Sequence, residues 1–367
     1  MKIIIAAGGT GGHLYPGIAI AREVLAGVGN EVQFVGTALG IEARVLPNEG
    51  LPVRFIASGK IKGMGLGSIA RTVITLPRGI VQAAALLRRE RPAAVVGVGG
   101  YASGPVGFAA WLLRIPLVIV EPNSYAGLAN RLLGRLARTV FVCFPGQDRQ
   151  NFFPAGKKVL AGPLVRKGID TGDRTRARAA FGLEPGRFTV LVMGGSGGAH
   201  AINMAMKDAA PDLKDVPDLQ VLHQTGEKDA DDVSQGYRRV GMKATVLPYI
   251  QDMAGAYAAA DLVVSRAGAT TVAELAVCGK RAVLIPYPYA ADNHQEHNAR
   301  SLAERGAGEV IIQKDLTPSL LAAVIRRHAQ SGPAAAAPLP STAAEEIVRA
   351  CKGYDISRQD LTRPSGS

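Results

Sequence analysis

The sequence predicts an α/β protein built from two doubly wound, parallel-sheet domains, and three observations predict it. First, a β-rich strand, a glycine-rich turn and a helix-like run open the chain as Lys2–Ala7, Gly8–Gly12 and a stretch to Leu25. The same unit recurs from Phe188 as Thr189–Met193, Gly194–Gly198 and a stretch to about Ala209, an offset of 186 residues in a chain of 367. Second, short apolar segments alternate with helix-like ones around each unit, as in sheets covered on both faces. Third, hydrophobic residues make up 47% of the chain, enough to fill two cores of ordinary size. The matched turns imply two halves facing a cleft, each aiming backbone N–H groups and a helix N-terminus at the gap. Such ends attract phosphate. An enzyme handling a diphosphate between two domains is therefore the first expectation.

Taken in order, the strand candidates of the first half are Ile3–Ala7, Val32–Val35, Val53–Ile56, Ala94–Val98, Leu117–Val120 and Val140–Cys143. They are short and rich in β-branched residues, as buried parallel strands are. Pro145 to Asp173, with Pro154, Gly156, Gly162, Pro163, Gly168 and Gly172, reads as a linker. The second half repeats the alternation at Thr189–Met193, Leu219–Gln224, Ala244–Leu247, Leu262–Ser265 and Ala282–Pro286. A Pro/Ala-rich stretch, Gly332 to Pro340, then precedes a short helix near Thr342–Cys351 and a polar tail. The expected divisions are 1–163, 164–335 and a terminal helix and tail at 336–367.

The charge is unevenly spread. Residues 1–160 hold 18 Lys+Arg against 7 Asp+Glu, and the remainder holds 24 against 23. Most of the net +12 thus lies in the first half, which suits an anionic membrane surface, an acidic substrate or nucleic acid. Nucleic acid is disfavoured, because aromatics make up only 5% and no recognition motif is present. Cys143, Cys278 and Cys351 are isolated and odd in number, so a reducing compartment is expected. No signal peptide or bilayer-spanning segment is recognised; the best candidate, Val106 to Val120, is interrupted by Arg114 and Pro116.

The first glycine turn is not the dinucleotide fingerprint. The third glycine is missing, and the strand ending near Val35 runs into Gly36-Thr37 with no ribose-binding acid. His13 follows the turn at a helix start, where the dipole favours neutral imidazole; it is either a general base or a cap residue. Ser265 to Leu275 reads as strand end, glycine turn and helix start. Glu274 would lie in the first turns of that helix, either on ribose hydroxyls or complementing the dipole. His294 and His297 lack a third ligand in view, so polar cleft residues are preferred to a metal pair. Asp229-Ala230-Asp231 reads as a solvated helix face. Tyr101, in Gly97–Pro105, and Glu121 and Asn123 follow successive strands and so belong at one sheet edge with His13.

Together the motifs GGTGGHLYPG, GVGGYASGP, E-x-N-x-x-AGLAN, GGSGGA, YIQDM, SRAGATTVAEL and DNHQEHNA, in this order over roughly residues 1–330, resemble the MurG family. The resemblance implies a GT-B fold of two Rossmann-like domains, with the acceptor in the N-terminal one and the donor nucleotide in the C-terminal one. It implies transfer of N-acetylglucosamine from UDP-GlcNAc to the muramoyl 4-hydroxyl of lipid I, giving lipid II of peptidoglycan. Carried over, Thr10, Gly11 and Gly12 line the sugar and diphosphate side, and Asn123 meets the donor sugar. Arg166 and Ser196 hold phosphate, and Ile250 frames the uracil. Ala269, Thr270, Thr271, Val272, Ala273 and Glu274 carry diphosphate and ribose. Gln295, or His294 if the alignment slips by one, reaches the GlcNAc hydroxyls. Tyr101 and Asn203 match polar positions on the acceptor side. Two departures stand out: Gly197, where the family commonly has glutamine, and Pro122, where it often has glutamine in E-Q-N.

The expected chemistry is inverting transfer with His13, or else Glu121, taking the acceptor proton. No protein metal site and no further cofactor is required; assistance by a divalent ion is left open. The resemblance places the protein peripherally on the cytoplasmic face of the bacterial plasma membrane. The expected membrane segment runs from Lys60 to Leu87, with Ile69, Val73, Leu76 and Ile80 at helical spacing, Pro77 breaking the helix, and Lys60, Lys62, Arg71, Arg78, Arg88 and Arg89 around them. Trp111 and Arg114 would join that surface. Alternatives are a same-fold transferase to another lipid acceptor, a UDP-sugar epimerase, or a basic nucleic-acid-binding module.

Overall fold

A computed structural model describes residues 1–58, 66–144, 151–195, 197–332 and 336–362, with backbone alone at 66–74 and 356–362. The chain divides into two compact units, Met1–Arg166 with Ser341–Ser367, and Lys167–Pro340. The division therefore falls after Arg166 rather than at 163, and the terminal helix returns to the first unit instead of standing apart.

The first unit runs β1 (Lys2–Ala7), α1 (Gly11–Leu25), β2 (Glu31–Gly36), α2 (Glu42–Asn48), β3 (Val53–Phe55), α3 (Leu66–Glu90), β4 (Ala94–Gly99), α4 (Ser103–Leu112), β5 (Leu117–Glu121), α5 (Leu128–Gly134), β6 (Thr139–Val142) and β7 (Lys158–Leu160). Its seven parallel strands lie in the order β3-β2-β1-β4-β5-β6-β7. Ile3, Ile4 and Ile5 of β1 are all fully buried. Both sides of the central strand are therefore covered, at roughly 2–3 kcal/mol per buried isoleucine. The second unit runs α6 (Arg174–Ala180), β8 (Phe188–Met193), α7 (His200–Leu213), β9 (Leu219–Gln224), α8 (Ala230–Arg239), β10 (Ala244–Leu247), α9 (Met253–Ala259), β11 (Leu262–Ser265), α10 (Ala269–Val277), β12 (Ala282–Leu284), α11 (His294–Glu304), β13 (Gly308–Val310) and α12 (Pro318–Gln330). Its six-stranded sheet has the order β10-β9-β8-β11-β12-β13. Each sheet is wound outward in both directions from its first strand. The connections therefore diverge between β1 and β4 and between β8 and β11, leaving a crevice at the carboxyl edge where ligands bind.

Four elements differ from the sequence expectation. β7 lies inside the stretch read as a linker, and β13 went unread. Both are three-residue edge strands, too short to show a period. α3 runs on through Pro77. The missing N–H costs about 3 kcal/mol in a helix interior, and burial of Gly79, Ala83 and Leu87 along one face offsets it. α13 (Ala343–Thr362) is longer than expected and buries Ala343, Ile347 and Cys351, one turn apart, where it packs on α1. Its Tyr354 hydroxyl lies 2.6 Å from Thr139 Oγ1. Among the described residues no helix is long and apolar enough to cross a membrane.

Candidate active site

In the first unit the loops after β1 and β4 are packed directly together. Gly100 has φ +83°, and a Cβ there would stand 2.1 Å from the Gly8 carbonyl oxygen. Gly99 has φ +114°, and a Cβ there would stand 2.6 Å from His13 Cδ2. Both positions thus require glycine for backbone and for space. The Tyr101 ring lies over Gly9, 3.3 Å from where its Cβ would be. Thr10 is the N-cap of α1, and its own side chain makes no capping hydrogen bond. Gly11 and Gly12 are the first residues of that helix, and Thr10 Oγ1 lies 3.2 Å from His13 Nδ1. A Nδ1–H donated to that hydroxyl leaves Nε2 with the lone pair a base needs. The structure therefore brings Thr10, Gly11, Gly12, His13 and Tyr101 to one edge of one sheet.

Glu121 plays a different part from His13. It ends β5 with no exposure. Its Oε1 accepts from the Asn123 backbone N–H (2.9 Å) and Nδ2 (3.1 Å), and its Oε2 from Gly127 N–H (2.9 Å) and Asn130 Nδ2 (2.9 Å). Burial pushes its pKa up, and these donors pull it back. Every one of these partners donates, which suits a carboxylate. Glu121 folds the loop that carries Asn123, and its geometry does not offer it to an acceptor hydroxyl. Asn123 itself is 5% exposed. Arg166 is exposed, belongs to the first unit, and lies over the Tyr15 ring of α1 at 5.9 Å.

In the second unit, α7 and α10 also begin without a side-chain cap, at Ala199 and Gly268. α8 and α11 likewise lack a side-chain cap, whereas α6, α9 and α12 are capped by Asp173, Asp252 and Thr317. The uncapped starts of α7 and α10 follow the glycine turns and put the positive helix ends at the switch point of this sheet. Ser196 lies outside the described residues. Gly197 opens to space, since a Cβ there meets nothing within 4 Å, so the family's glutamine would fit. Ala269, Thr270 and Thr271 form the first turn of α10, and Val272, Ala273 and Glu274 follow. Glu274 is 4% exposed, and the buried Tyr257 donates its hydroxyl to Oε2 at 2.9 Å.

Gln295 Oε1 accepts from Tyr287 N–H (2.9 Å) and Ala267 N–H (3.3 Å), which ties the loops after β11 and β12 together. The Nδ1 of the neighbouring His294 lies 2.7 Å from the Ala291 carbonyl oxygen, and burial lowers the pKa of the ring. Among the described residues no group of three or more His, Cys, Asp or Glu is arranged to hold a metal.

Asn203, expected on the acceptor side, is buried in the second unit. It donates to the Thr225 carbonyl (2.8 Å) and to Asp229 (2.8 Å), while its Oδ1 faces His223 Nε2 at 3.1 Å. It braces the loop after β9. Sequence reasoning also missed three supports. Gln224 donates to the Gly195 carbonyl (2.7 Å) and accepts from the N–H of the buried Ile250 (3.2 Å), linking the glycine turn to the expected uracil frame. Arg266 donates to the carbonyls of Ile285 and Pro286 and to Gln313. Tyr257 holds Glu274. Only side-chain reach across the sheet edge joins these pairs, and no local spacing signals it.

The comparisons agree with this geometry. Residues 3–142 match the glycosyltransferase family 28 N-terminal domain and residues 189–352 its C-terminal domain. A UDP-N-acetylglucosamine--N-acetylmuramyl-(pentapeptide) pyrophosphoryl-undecaprenol N-acetylglucosamine transferase of Anaeromyxobacter sp. (strain Fw109-5) is 46% identical, over 100% of this chain and 96% of its own length. The protein of the same name from Myxococcus xanthus (strain DK1622) is 47% identical over 89% of this chain and 84% of its own. The crystal structure of Acinetobacter baumannii MurG superposes with a TM-score of 0.76 at 32% identity, covering 96% of this chain and 99% of that one. A UDP-GlcNAc 2-epimerase from Neisseria meningitidis, at 11% identity and TM-score 0.62 over 96% of this chain and 100% of its own, shares the fold alone. Two doubly wound units, uncapped helix starts at both switch points and whole-length identity converge: the chain belongs to glycosyltransferase family 28, and within it to the MurG family.

Proposed function

We propose that the protein moves N-acetylglucosamine from UDP-GlcNAc to the 4-hydroxyl of the muramoyl-peptide carried on undecaprenyl diphosphate, with inversion. The observation that carries the reading is the pair of glycine turns, each leading an uncapped helix at the switch point of its own sheet. His13 Nε2 takes the proton of the acceptor hydroxyl. That oxygen forms a bond to the anomeric carbon as the bond to the diphosphate breaks, and the electron pair leaves with UDP. The starts of α7 and α10, with Ser196 and Arg166, stabilise the charge developing on the diphosphate, where single donors are worth about 3 kcal/mol. Glu274 takes the ribose hydroxyls, and the amino group of Gln295 takes a sugar oxygen. The reaction runs at the cytoplasmic surface of the plasma membrane, where the acceptor is embedded, and the basic N-terminal half faces the lipid.

The test is product analysis by mass spectrometry with UDP-GlcNAc, with and without a polyprenyl-diphosphate muramoyl-peptide, in EDTA and in added magnesium. Disaccharide and UDP in equal amounts, only with acceptor, are expected. UDP-ManNAc without acceptor would replace the transfer by epimerisation.

A further inference from the structure

Three glutamates are buried among the described residues: Glu42, Glu121 and Glu274. Nothing above gives Glu42 a role. It opens α2 with no exposure, directly beneath the first glycine turn. Oε2 accepts from Gly9 N–H at 2.9 Å, and Oε1 accepts from Thr37 N–H at 2.8 Å and Thr37 Oγ1 at 2.9 Å. Three glycines make room for it. A Cβ at Gly8, Gly36 or Gly40 would stand 2.4, 2.5 or 2.1 Å from its side-chain atoms. On the far side the same turn is gripped by Gly100 against the Gly8 carbonyl and by Tyr101 over Gly9.

A buried carboxylate is expensive unless its oxygens are satisfied, and a sequence seldom leaves three glycines around one for packing alone. The residue after Gly9 is Thr10, which meets His13. We propose that Glu42 is a positioning residue for the transfer step. It fixes Gly9, and through Gly9 holds Thr10 and His13 at the reach that proton transfer requires. The inference rests on the reading of His13 as the base. Its chemistry is specific to a carboxylate, because each oxygen receives a different backbone N–H. A carboxamide of the same shape must turn its own NH₂ against one of them.

The test uses the full chain, with Glu42→Gln, Gly40→Ala and His13→Ala beside wild type. Gly40→Ala leaves the charge in place and crowds the Glu42 carboxylate, since its Cβ would stand 2.1 Å from Oε2, the oxygen that holds Gly9. UDP release with UDP-GlcNAc and the polyprenyl-diphosphate acceptor gives kcat and KM, calorimetry gives UDP affinity, and hydrogen exchange follows the peptide over residues 3–14. Displacing a catalytic group by a fraction of an ångström to an ångström costs about 10- to 100-fold. Glu42→Gln and Gly40→Ala should lose about that much kcat, keep donor KM and UDP affinity within about twofold, and exchange faster in that peptide alone. Wild-type kcat in a folded Glu42→Gln overturns the proposal, as does a loss of kcat matched by loss of UDP binding. If Glu42→Gln fails to fold, Gly40→Ala decides by the same criteria. If His13→Ala keeps its kcat while Glu42→Gln is slow, the reading of His13 falls and Glu42 still positions the turn.

Discussion

In the proposed reaction His13 serves the chemistry and Glu274 the recognition, and the two roles predict different kinetic effects. The His13 ring lies against Gly99, with Thr10 at Nδ1. As the proposed base it would meet the acceptor proton only as the bond forms. His13→Ala should therefore lower kcat about a hundredfold or more, within the range of general-base removal, with donor KM little changed. A kcat near wild type would leave it a cap residue. Glu274 binds equally in ground and transition states, so Glu274→Ala should raise donor KM and spare kcat. Charged hydrogen bonds of roughly 2 kcal/mol correspond to about 30-fold. Unchanged donor KM in a folded variant removes Glu274 from the ribose. Both residues were legible because glycine turns and a strand-to-helix step announce them. Glu42, Gln224 and Tyr257 were not, since each serves a loop distant in sequence and sits in a helix or strand that looks like ordinary core.

At the scale of elements, β9 and α7 meet through a buried polar chain beneath the second glycine turn. Tyr237 hydroxyl lies 2.8 Å from His223 Nδ1, His223 Nε2 faces Asn203 Oδ1, and Asn203 reaches Asp229, which also faces His200. Burial holds the His223 pKa down at about 3, against the pull of Asp229. Its folded pKa is thus below the unfolded value of about 6.5. The unfolded chain binds the extra proton, so the stability is intact above about pH 6.5 and is lost as pH falls toward 3. From pH 7.5 to 5 this single group should cost about 2 kcal/mol. His223→Gln keeps a donor toward Asn203 and should flatten that part of the melting-temperature profile; an unaltered slope would deny His223 the role. The strands themselves were read well from the sequence where they are five or six residues long and buried over nearly their whole length, as β1, β4, β5 and β8 are. The failures, β7 and β13, are edges of three residues, and α3 was cut at Pro77 because the local rule ignores the tertiary packing that carries the helix across it.

The whole molecule carries its charge on one half, and this bears on where it works. Residues 1–160 hold 18 Lys+Arg against 7 Asp+Glu. The expected membrane stripe is redrawn by the structure. Ile80 packs on the core, while among the described side chains of α3 Pro77, Arg78, Val81, Ala85, Arg88 and Arg89 are exposed. Lys60 and Lys62 lie outside the described residues, as do the side chains of Ile69, Arg71 and Val73. On α4, Trp111 stacks beside Phe108 at 5.5 Å and stays 45% exposed, and Leu112 is 53% exposed. α3 packs on α4, so exposed apolar groups and arginines are carried on neighbouring helices, the composition that lets a surface enter the headgroup region without crossing the bilayer. Each basic residue near anionic lipid adds about 1 kcal/mol. Arg78→Gln with Arg88→Gln should therefore weaken partitioning about 30-fold. Val81→Ser with Leu112→Ser should weaken it further without unfolding, since both side chains are already in water. Co-sedimentation with phosphatidylglycerol vesicles should fall with salt, because exposed charges are screened beyond about 10 Å at 0.1 M. Equal binding to neutral phosphatidylcholine vesicles, or no binding to either, would sink the membrane-facing reading and return the arginines to the role of solubilising charge.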